Sequence, residues 1–243
     1  KNQKKRSFNN LTASEWAKLS KNVWNDVSSV RRKKHLDHGA TFSEKLADRI
    51  ITMYSKEDDL VFDPFVGTGT TLFSTRNLNR KGIGIELNSD FCKTINSEIS
   101  NKDLFHKYDQ KIINDDCRNL EKYLKDDSIQ LTLTSPPYAN FIHKTLEDRN
   151  LRHKNSAIVQ KNNSRTKLYS SSKNDFGNLS YPEFLKEINV ILRKIYKKTK
   201  IGGYSVWIVK DYRDTKNKIP YISFHSCLCK IGQEVGFKFH DLI

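Results

Sequence analysis

The chain of 243 residues has few cysteines and no long apolar run. Its cysteines show no spacing suited to a zinc site, so we expect free thiols in a reducing compartment. They are Cys92, Cys117, Cys227 and Cys229. No apolar run approaches the roughly 20 residues that span a bilayer, and no signal-like apolar segment opens the chain. We therefore expect a cytoplasmic protein with no membrane partner.

Internal repeats are absent, and Met53 is the only methionine. Since the numbered chain has no initiator methionine, we expect it to be a portion of a longer product. Its length suits one α/β domain with appendages, which can bury a substantial core.

Acidic residues are outnumbered, with 28 Asp plus Glu against 43 Lys plus Arg, and the net charge is +15. Residues 1–34 carry +8, residues 35–138 carry −4, residues 139–180 carry +5 and residues 181–243 carry +6. The positively charged segments therefore lie before and after a mildly acidic segment, residues 35–138. Positive charge of this kind is expected of a protein whose surface binds phosphates. A lysine-rich host composition is the alternative, and charge alone does not separate DNA from RNA.

Residues 61–71 read VFDPFVGTGTT, a short buried-strand pattern followed by a glycine loop. Gly67 and Gly69 permit backbone conformations and close ligand approach that a Cβ would block. Asp63, at the carboxyl end of the strand, lies where open α/β sheets place their ligands. The spacing is neither GxGxxG nor GxxxxGK[ST], which argues against dinucleotide and triphosphate sites. A purely structural strand-to-helix turn is the alternative.

A second string, TSPPY at residues 134–138, follows another apolar run. Together the two strings resemble the cofactor and catalytic loops of the S-adenosylmethionine-dependent DNA amino-methyltransferases. Members of that family transfer a methyl group to the exocyclic nitrogen of adenine or cytosine. The resemblance covers about residues 35–243, and it is strongest at residues 61–71 and 134–138.

The resemblance implies a cofactor site built from three strand ends and one preceding segment. Asp63 would hold the cationic amino group of the cofactor, directly or through water, and Glu86 would accept from the ribose hydroxyls. Asp116 would contact the adenine amino group, with Asp115 as the alternative. Residues 38–46, HGATFSEKL, resemble the family segment HPATFPEKL, which closes over the methionine end. The predicted set is Thr41, Phe42, Asp63, Pro64, Phe65, Gly67, Gly69, Thr70, Thr71, Glu86 and Asp116, with no metal.

The catalytic residues that the resemblance implies are Ser135, Pro136, Pro137 and Tyr138. An exocyclic amino nitrogen is a poor nucleophile because its lone pair is delocalised into the ring. The Ser135 side chain and the Pro136 carbonyl would accept its hydrogens and draw it toward tetrahedral geometry. Tyr138 would stack on a base turned out of the duplex. Neither a metal nor a covalent enzyme intermediate is required.

Serine at position 135 favours cytosine N4 over adenine N6, because SPP[YF] is commoner among the N4 enzymes of the family. The resemblance further implies double-stranded DNA as substrate, a restriction-modification system and a possible cognate endonuclease. Methylation of RNA or of a protein glutamine stays open. A catalytically silent nucleic-acid-binding module is the alternative from another class, but it need not keep Asp63, Glu86, Ser135 and Tyr138.

Apolar runs predict strands near 60–65, 82–87, 111–115, 129–135, 204–210 and 237–242. Their alternation with helical patterns predicts a doubly wound, mostly parallel α/β sheet, with order 3-2-1-4-5-7-6 as in the family. Capping-box spacings predict helix starts at Thr41 and at Ser180. A further helix is predicted over residues 219–235.

The domain organisation that we predict is a basic N-terminal segment, residues 1–34, and a catalytic domain, residues 35–243. Within that domain, residues 139–180 form a basic insertion that leaves directly from Tyr138, so we expect it to contact DNA. A poorly ordered insertion is the alternative. Residues 175–181, DFGNLSY, also resemble a string found in one subgroup of the family.

Only one strand of the last antiparallel hairpin is predicted, over residues 237–242. Because natural proteins avoid an unpaired apolar edge, we expect its partner to come from residues beyond 243 or from another chain.

Overall fold

Five of the predicted strands form one sheet in the computed structural model, which describes residues 4–28, 42–99, 107–137, 175–214 and 219–243. They are β1 (Leu60–Asp63), β2 (Lys81–Glu86), β3 (Lys111–Asn114), β4 (Ile129–Thr134) and β5 (Thr199–Trp207). The order is β3-β2-β1-β4-β5. Every neighbouring pair is parallel. The predicted fold class is confirmed, and so is the predicted order of these five strands.

Helices connect the strands and cover both faces of the sheet. They are α1 (Ala13–Leu19), α2 (Glu44–Tyr54), α3 (Thr70–Asn77), α4 (Ser89–Ile99), α5 (Tyr181–Lys198) and α6 (Phe224–Val235). Short 3-10 helices cover Cys117–Lys122 and Phe176–Asn178.

Alternation along β1 directs its side chains into two cores. Val61 packs with buried residues of α2 and with Leu131 of β4. Phe62 packs on the opposite face with buried residues of α5 and α6. Because both faces are buried, the strand reads as a continuous apolar run, as parallel strands usually do. The carboxyl ends of the strands are thereby fixed as one edge on which loops can build a site.

Capping explains where two of the helices begin. At α5, Ser180 Oγ and Glu183 form the predicted capping box, and the Ser180 amide donates to Glu183 Oε2 at 3.0 Å. At α2 the predicted cap was wrong: Ser43 is the N-cap, and its Oγ accepts from the Leu46 amide at 3.2 Å. Ser43 lies two residues after Thr41 in the chain and directly precedes the helix, and serine is a favoured N-cap residue.

The C-terminal elements differ from the prediction. Residues Tyr212–Asp214 (β6) and Ile219–Ile222 (β7) pair antiparallel as a separate two-stranded sheet. The predicted helix over 219–235 therefore begins only at Phe224. No strand forms over residues 237–242.

Aromatic packing replaces the predicted last strand. Phe237 packs edge-on against Tyr196, with ring centroids 5.0 Å apart. His240 packs against Tyr204 at 5.5 Å and Tyr54 at 6.0 Å. Phe237 is half-buried, whereas Phe239, Leu242 and Ile243 are exposed.

The N-terminal segment contacts the same core. Trp16 of α1 packs edge-on against Tyr54 of α2 with ring centroids 6.0 Å apart, and Asn9 Nδ2 donates to the Met53 carbonyl at 2.5 Å. The predicted boundary at residue 34 lies outside the described residues and stays a prediction. No helix in the described part of the chain is long and apolar enough to cross a membrane.

Candidate active site

The glycine loop joins the end of β1 to the start of α3. Gly67 has φ 55° and Gly69 has φ 91°, both in the left-handed region that favours glycine. A Cβ on Gly69 would also come within 3.0 Å of Ile95 Cγ1 and 3.1 Å of Phe73 Cε2. Since α3 begins at Thr70, its first amides have no partner within the helix and face the loop. The two glycines adopt the backbone conformation that the sequence predicted.

Asp63 is the most deeply buried carboxylate of the site, with 1% of its surface exposed. Its Oδ1 accepts from Thr134 Oγ1 at 2.6 Å and from the Phe65 amide at 3.0 Å. Its Oδ2 accepts from Thr71 Oγ1 at 2.6 Å. Burial raises the pKa of Asp63 to about 6, against these three hydrogen bonds, which lower it. A carboxylate has about four acceptor positions, and bonds from the described residues use three of them.

The bond from Thr134 connects the glycine loop to the SPPY string. Thr134 ends β4 and directly precedes Ser135, which is half-buried, and Pro136, which is buried. The Thr134 carbonyl accepts from the Ile208 amide at 2.8 Å, which ties the same point to the end of β5. The two strings that the sequence singled out are therefore one hydrogen-bonded unit, held at the carboxyl ends of adjacent strands.

Glu86 ends β2 and lies against the glycine loop. Its Oε2 accepts from the Gly67 amide at 2.9 Å, and its Oε1 accepts from the Asn88 amide at 2.8 Å. Burial raises the pKa of Glu86 to about 7, and the charges of Asp63 and Asp175 add to the rise. The carboxylate is held at a fixed position with acceptor capacity left over, which suits a ligand that offers hydroxyl donors.

The third strand end offers two carboxylates with different partners. Asp115 accepts from Tyr123 Oη at 2.6 Å and from Asn119 Nδ2 at 2.9 Å, and these bonds lower its pKa. Asp116 caps the 3-10 helix by accepting from the Arg118 amide at 2.9 Å. Because both oxygens of Asp115 are engaged by side chains, Asp116 is the better candidate to meet a ligand.

Other predicted residues fall into three groups. Pro64 is buried and Phe65 half-buried in the glycine loop, and Thr70 opens α3. Phe42 packs against the core around α2. Thr41 and Tyr138 lie outside the described residues.

Two features of the site had no counterpart in the sequence prediction. Thr134 is the partner of Asp63, and no local signal marks it, because the two lie 71 residues apart. Phe176 packs edge-on against Phe65 with ring centroids 5.1 Å apart. The similarity of residues 175–181 to a family string was the available signal for Phe176, but it did not indicate that Phe176 contacts the glycine loop.

The acceptors of the site match a ligand with several donors. A buried carboxylate, a half-buried carboxylate and a capping carboxylate lie at the ends of three neighbouring strands, next to the glycine loop and the start of α3. Such a set suits a nucleoside-like ligand that carries an ammonium group and ribose hydroxyls. It suits a phosphate poorly, because carboxylates repel phosphates.

Residues 1–97 match the sequence model of the N6/N4 methyltransferase family, described as DNA methylase. This stretch contains Asp63, the glycine loop and Glu86, and it ends before Ser135. The chain is 40% identical over 91 residues to the orphan methyltransferase M.BamHII of Bacillus amyloliquefaciens, covering 35% of this chain and 34% of that protein. It is 39% identical over 90 residues to the type II methyltransferase M.HpaI of Haemophilus parainfluenzae, covering 36% and 27%.

These matches support the predicted resemblance to the amino-methyltransferase family, and the family model does so over residues 1–97. The chain spans about a third or less of the length of these curated relatives. Among solved structures, fibrillarin of Aeropyrum pernix with bound S-adenosyl-L-methionine is 13% identical, with a TM-score of 0.46 over 81% of this chain and 66% of that chain.

Proposed function

We propose that this chain belongs to an S-adenosylmethionine-dependent DNA amino-methyltransferase, one of the kind found in restriction-modification systems. The observation that supports it best is the hydrogen bond from Thr134 to Asp63 at 2.6 Å. Through this bond, the residue that precedes Ser135 is fixed to the carboxylate at the base of the glycine loop. A cofactor bound by the loop would then present its methyl group to an acceptor held at Ser135.

Four elements would hold the cofactor, which supplies a methyl group on a cationic sulfur when bound. Asp63 accepts from the ammonium group, directly or through water. Glu86 accepts from the ribose hydroxyls, and Asp116 from the adenine amino group. The amides at the start of α3 and the left-handed Gly67 and Gly69 allow close approach of the ligand. Thr71 acts through Asp63, because its hydroxyl already donates to that carboxylate.

Thr41, Phe42, Pro64, Phe65 and Thr70 complete the proposed cofactor surface. The segment that contains Thr41 and Phe42 closes the methionine end.

Catalysis rests on Ser135, the Pro136 carbonyl and Tyr138. The hydroxyl and the carbonyl accept the two hydrogens of the target amino group, which frees the nitrogen lone pair for in-line attack on the methyl carbon. Pro137 stiffens the loop, so positioning costs little entropy during the reaction. Tyr138 stacks on the flipped base and holds it in place.

Cytosine N4 is the target that Ser135 favours, and adenine N6 is the second candidate. The two share every step above, since both are exocyclic amino groups. Double-stranded DNA is the proposed substrate, and the basic insertion at residues 139–180 is the proposed contact with it. A cognate endonuclease is a further proposed partner; M.HpaI is named a type II methyltransferase, whereas M.BamHII is named an orphan methyltransferase.

Transfer of labelled methyl groups from S-adenosylmethionine tests this proposal. We expect label in double-stranded DNA and none in RNA or in protein acceptors. Binding to DNA with no transfer would favour the silent nucleic-acid-binding module. Label in RNA or in protein glutamine would show that the methyl acceptor is RNA or protein and not DNA.

Tyr138→Ala should weaken the hold on the target base by about 1–3 kcal/mol, the usual contribution of one base-aromatic stack. The loss should appear in KM for DNA and in turnover, whereas the affinity for S-adenosylmethionine should stay within about twofold of wild type. Tyr138→Phe keeps the aromatic face and should retain most activity. An alanine variant with wild-type KM and turnover would rule out the stacking role.

Cofactor binding should depend on pH, because the pKa values of Asp63 and Glu86 are raised to about 6 and about 7. In the protein without ligand, a raised pKa means that folding favours the protonated carboxyl groups of Asp63 and Glu86. Their contribution to the free energy of unfolding is therefore fully present below about pH 4 and is lost as the pH rises through about 6 and 7. A cationic ligand favours the ionised forms, so affinity should rise from pH 5 to pH 7.5 with release of protons. Calorimetry in buffers of different ionisation enthalpy measures that release. Glu86→Gln should remove the change in affinity that occurs near pH 7. An affinity of the wild-type protein that does not change between pH 5 and pH 7.5 would exclude this role of the two carboxylates.

A further inference from the structure

A cluster of polar side chains lies at the start of α6 and uses none of the residues assigned to methyl transfer. Its members come from the loop after β5, from β7 and from the start of α6, and they are Asp211, Tyr221, Ser223, His225 and Ser226. Asp211 and His225 are 14 residues apart in the chain, and the hairpin of β6 and β7 lies between them. The fold therefore brings together a carboxylate, an imidazole ring and two hydroxyl groups.

Asp211 orients the ring of His225. The distance between His225 Nδ1 and Asp211 Oδ2 is 2.6 Å, and the His225 amide donates to Asp211 Oδ1 at 3.1 Å. Tyr221 Oη also donates to Asp211 Oδ2. Because an ionised carboxylate only accepts hydrogen bonds, Nδ1 is the nitrogen that carries the hydrogen. In the neutral ring, Nε2 is then free of a proton and can accept one.

Ser226 is the partner of that second nitrogen. Its Oγ lies 3.1 Å from His225 Nε2, so its hydroxyl donates to the ring. Ser223 Oγ lies 2.8 Å from Ser226 Oγ and 3.4 Å from His225 Nδ1. Serine, imidazole and carboxylate thus follow one another in the order of a nucleophile, a general base and an orienting acid, an arrangement defined by geometry and not by position in the chain.

The cluster can be reached from solvent. Ser226 is exposed, and 33% of the His225 side chain is exposed. Asp211 and His225 also line an open cavity of about 1540 Å³, whose lining includes the apolar side chains of Val209 and Leu228. An apolar group bound in this cavity would therefore lie beside the ring that contacts Ser226.

The start of α6 favours negative charge near Ser226. Ser226 is the third residue of the helix, so its amide has no partner within the helix. The dipole of the helix is positive at this end. An oxyanion that forms next to Ser226 would be stabilised by both features.

We propose that Ser226, His225 and Asp211 form a second reactive site, which hydrolyses small esters with an apolar acyl group. Ser226 Oγ attacks the ester carbonyl carbon, its proton passes to His225 Nε2, and the carbonyl electron pair moves onto oxygen. When that pair returns, the bond to the alcohol oxygen breaks and His225 gives the proton to the departing alcohol. Water then attacks the acyl group by the same route, which releases the carboxylic acid and restores Ser226. Asp211 is a positioning residue that stabilises the protonated ring.

A fluorophosphonate probe tests whether Ser226 is reactive. Attack by Ser226 Oγ forms an oxygen–phosphorus bond, fluoride leaves, and the proton passes to His225. We expect peptide mass spectrometry of the folded full chain to locate the probe on Ser226. Ser97 is the matched control, because it is also exposed and helical, but its hydroxyl donates to the Thr94 carbonyl at 2.7 Å. It should stay unlabelled.

Variants of the cluster separate activation from simple exposure. His225→Gln removes the base and Asp211→Asn disturbs the tautomer of the ring, so each should slow labelling of Ser226 at least about 100-fold. Ser223→Ala removes only a neighbouring hydroxyl and should change the rate less than about tenfold. Hydrolysis of p-nitrophenyl butyrate should fall in the same order and should be lost in Ser226→Ala, whereas methyl transfer to DNA should stay at the wild-type level.

A folded wild-type chain that is not labelled at Ser226 would overturn the proposal. Labelling that is equally fast in wild type, His225→Gln and Asp211→Asn would overturn it too, since exposure alone would then explain the reaction. If neither of these variants folds, the wild-type chain is compared with the same chain unfolded in urea. Equal labelling of Ser226 in the two states would refute activation by the fold, and loss of labelling on unfolding would support it.

Discussion

Asp63→Ala should lower the affinity of the chain for S-adenosylmethionine about 10- to 100-fold, the usual effect of losing a hydrogen bond to a charged group. The same change leaves the Thr71 and Thr134 hydroxyls and the Phe65 amide without their acceptor. We therefore also expect the free energy of unfolding to fall by about 2–4 kcal/mol, since buried donors left unpaired are costly. Calorimetry and denaturant unfolding measure the two effects.

Two further variants separate binding from stability. Asp63→Asn keeps one acceptor oxygen, so it should cost less stability than alanine but still lose the cationic ligand. Thr134→Val removes a single partner of Asp63, and we expect about 1 kcal/mol of lost stability with cofactor affinity retained. An alanine variant at position 63 that binds S-adenosylmethionine like wild type would remove Asp63 from the site.

Ser135→Ala should lower turnover about 100- to 1,000-fold, the range seen when one group that stabilises a transition state is removed. Ser135 is half-buried at the end of β4 and does not belong to the glycine loop, so cofactor affinity should stay within about twofold. Single-turnover methylation of DNA and calorimetry with S-adenosylmethionine measure the two quantities.

Ser128→Ala is the matched control for this variant. Ser128 precedes the same strand at its opposite end, and its hydroxyl donates to the Lys125 carbonyl at 2.7 Å. Turnover should stay near wild type there. Full turnover in the Ser135 variant, with binding intact, would exclude the proposed role of its hydroxyl.

Local patterns were sufficient to predict the strands and the loop that carry the site. A short apolar run followed by closely spaced glycines specifies a strand end and a left-handed turn, and Gly67 and Gly69 adopt that turn. The capping box at Ser180 and Glu183 lies within four residues, so it too could be read directly. Such features depend on neighbours in the chain, and neighbours are what a sequence displays.

Contacts between distant residues could not be predicted in the same way. The bond from Thr134 to Asp63 requires β1 and β4 to be paired in one register, and only the fold supplies that register. Phe176 contacts Phe65 of the glycine loop although the two residues are far apart in the chain. No local pattern gives the position of Thr134 or of Phe176 in the site.

The error over residues 237–242 has a similar cause. An apolar segment can join a sheet or make separate ring contacts, and its pattern does not distinguish the two outcomes. Phe237 and His240 make ring contacts with Tyr196 and Tyr204, while Phe239, Leu242 and Ile243 are exposed.

The proposed reaction is tested by mass spectrometry of nucleosides from double-stranded DNA that has been incubated with the chain and S-adenosylmethionine. We expect N4-methylcytosine, formed by the wild-type chain and reduced at least about 100-fold by Ser135→Ala. N6-methyladenine would keep the mechanism and correct the target base. If neither product forms while the chain binds both DNA and S-adenosylmethionine, the chain is not an amino-methyltransferase of DNA.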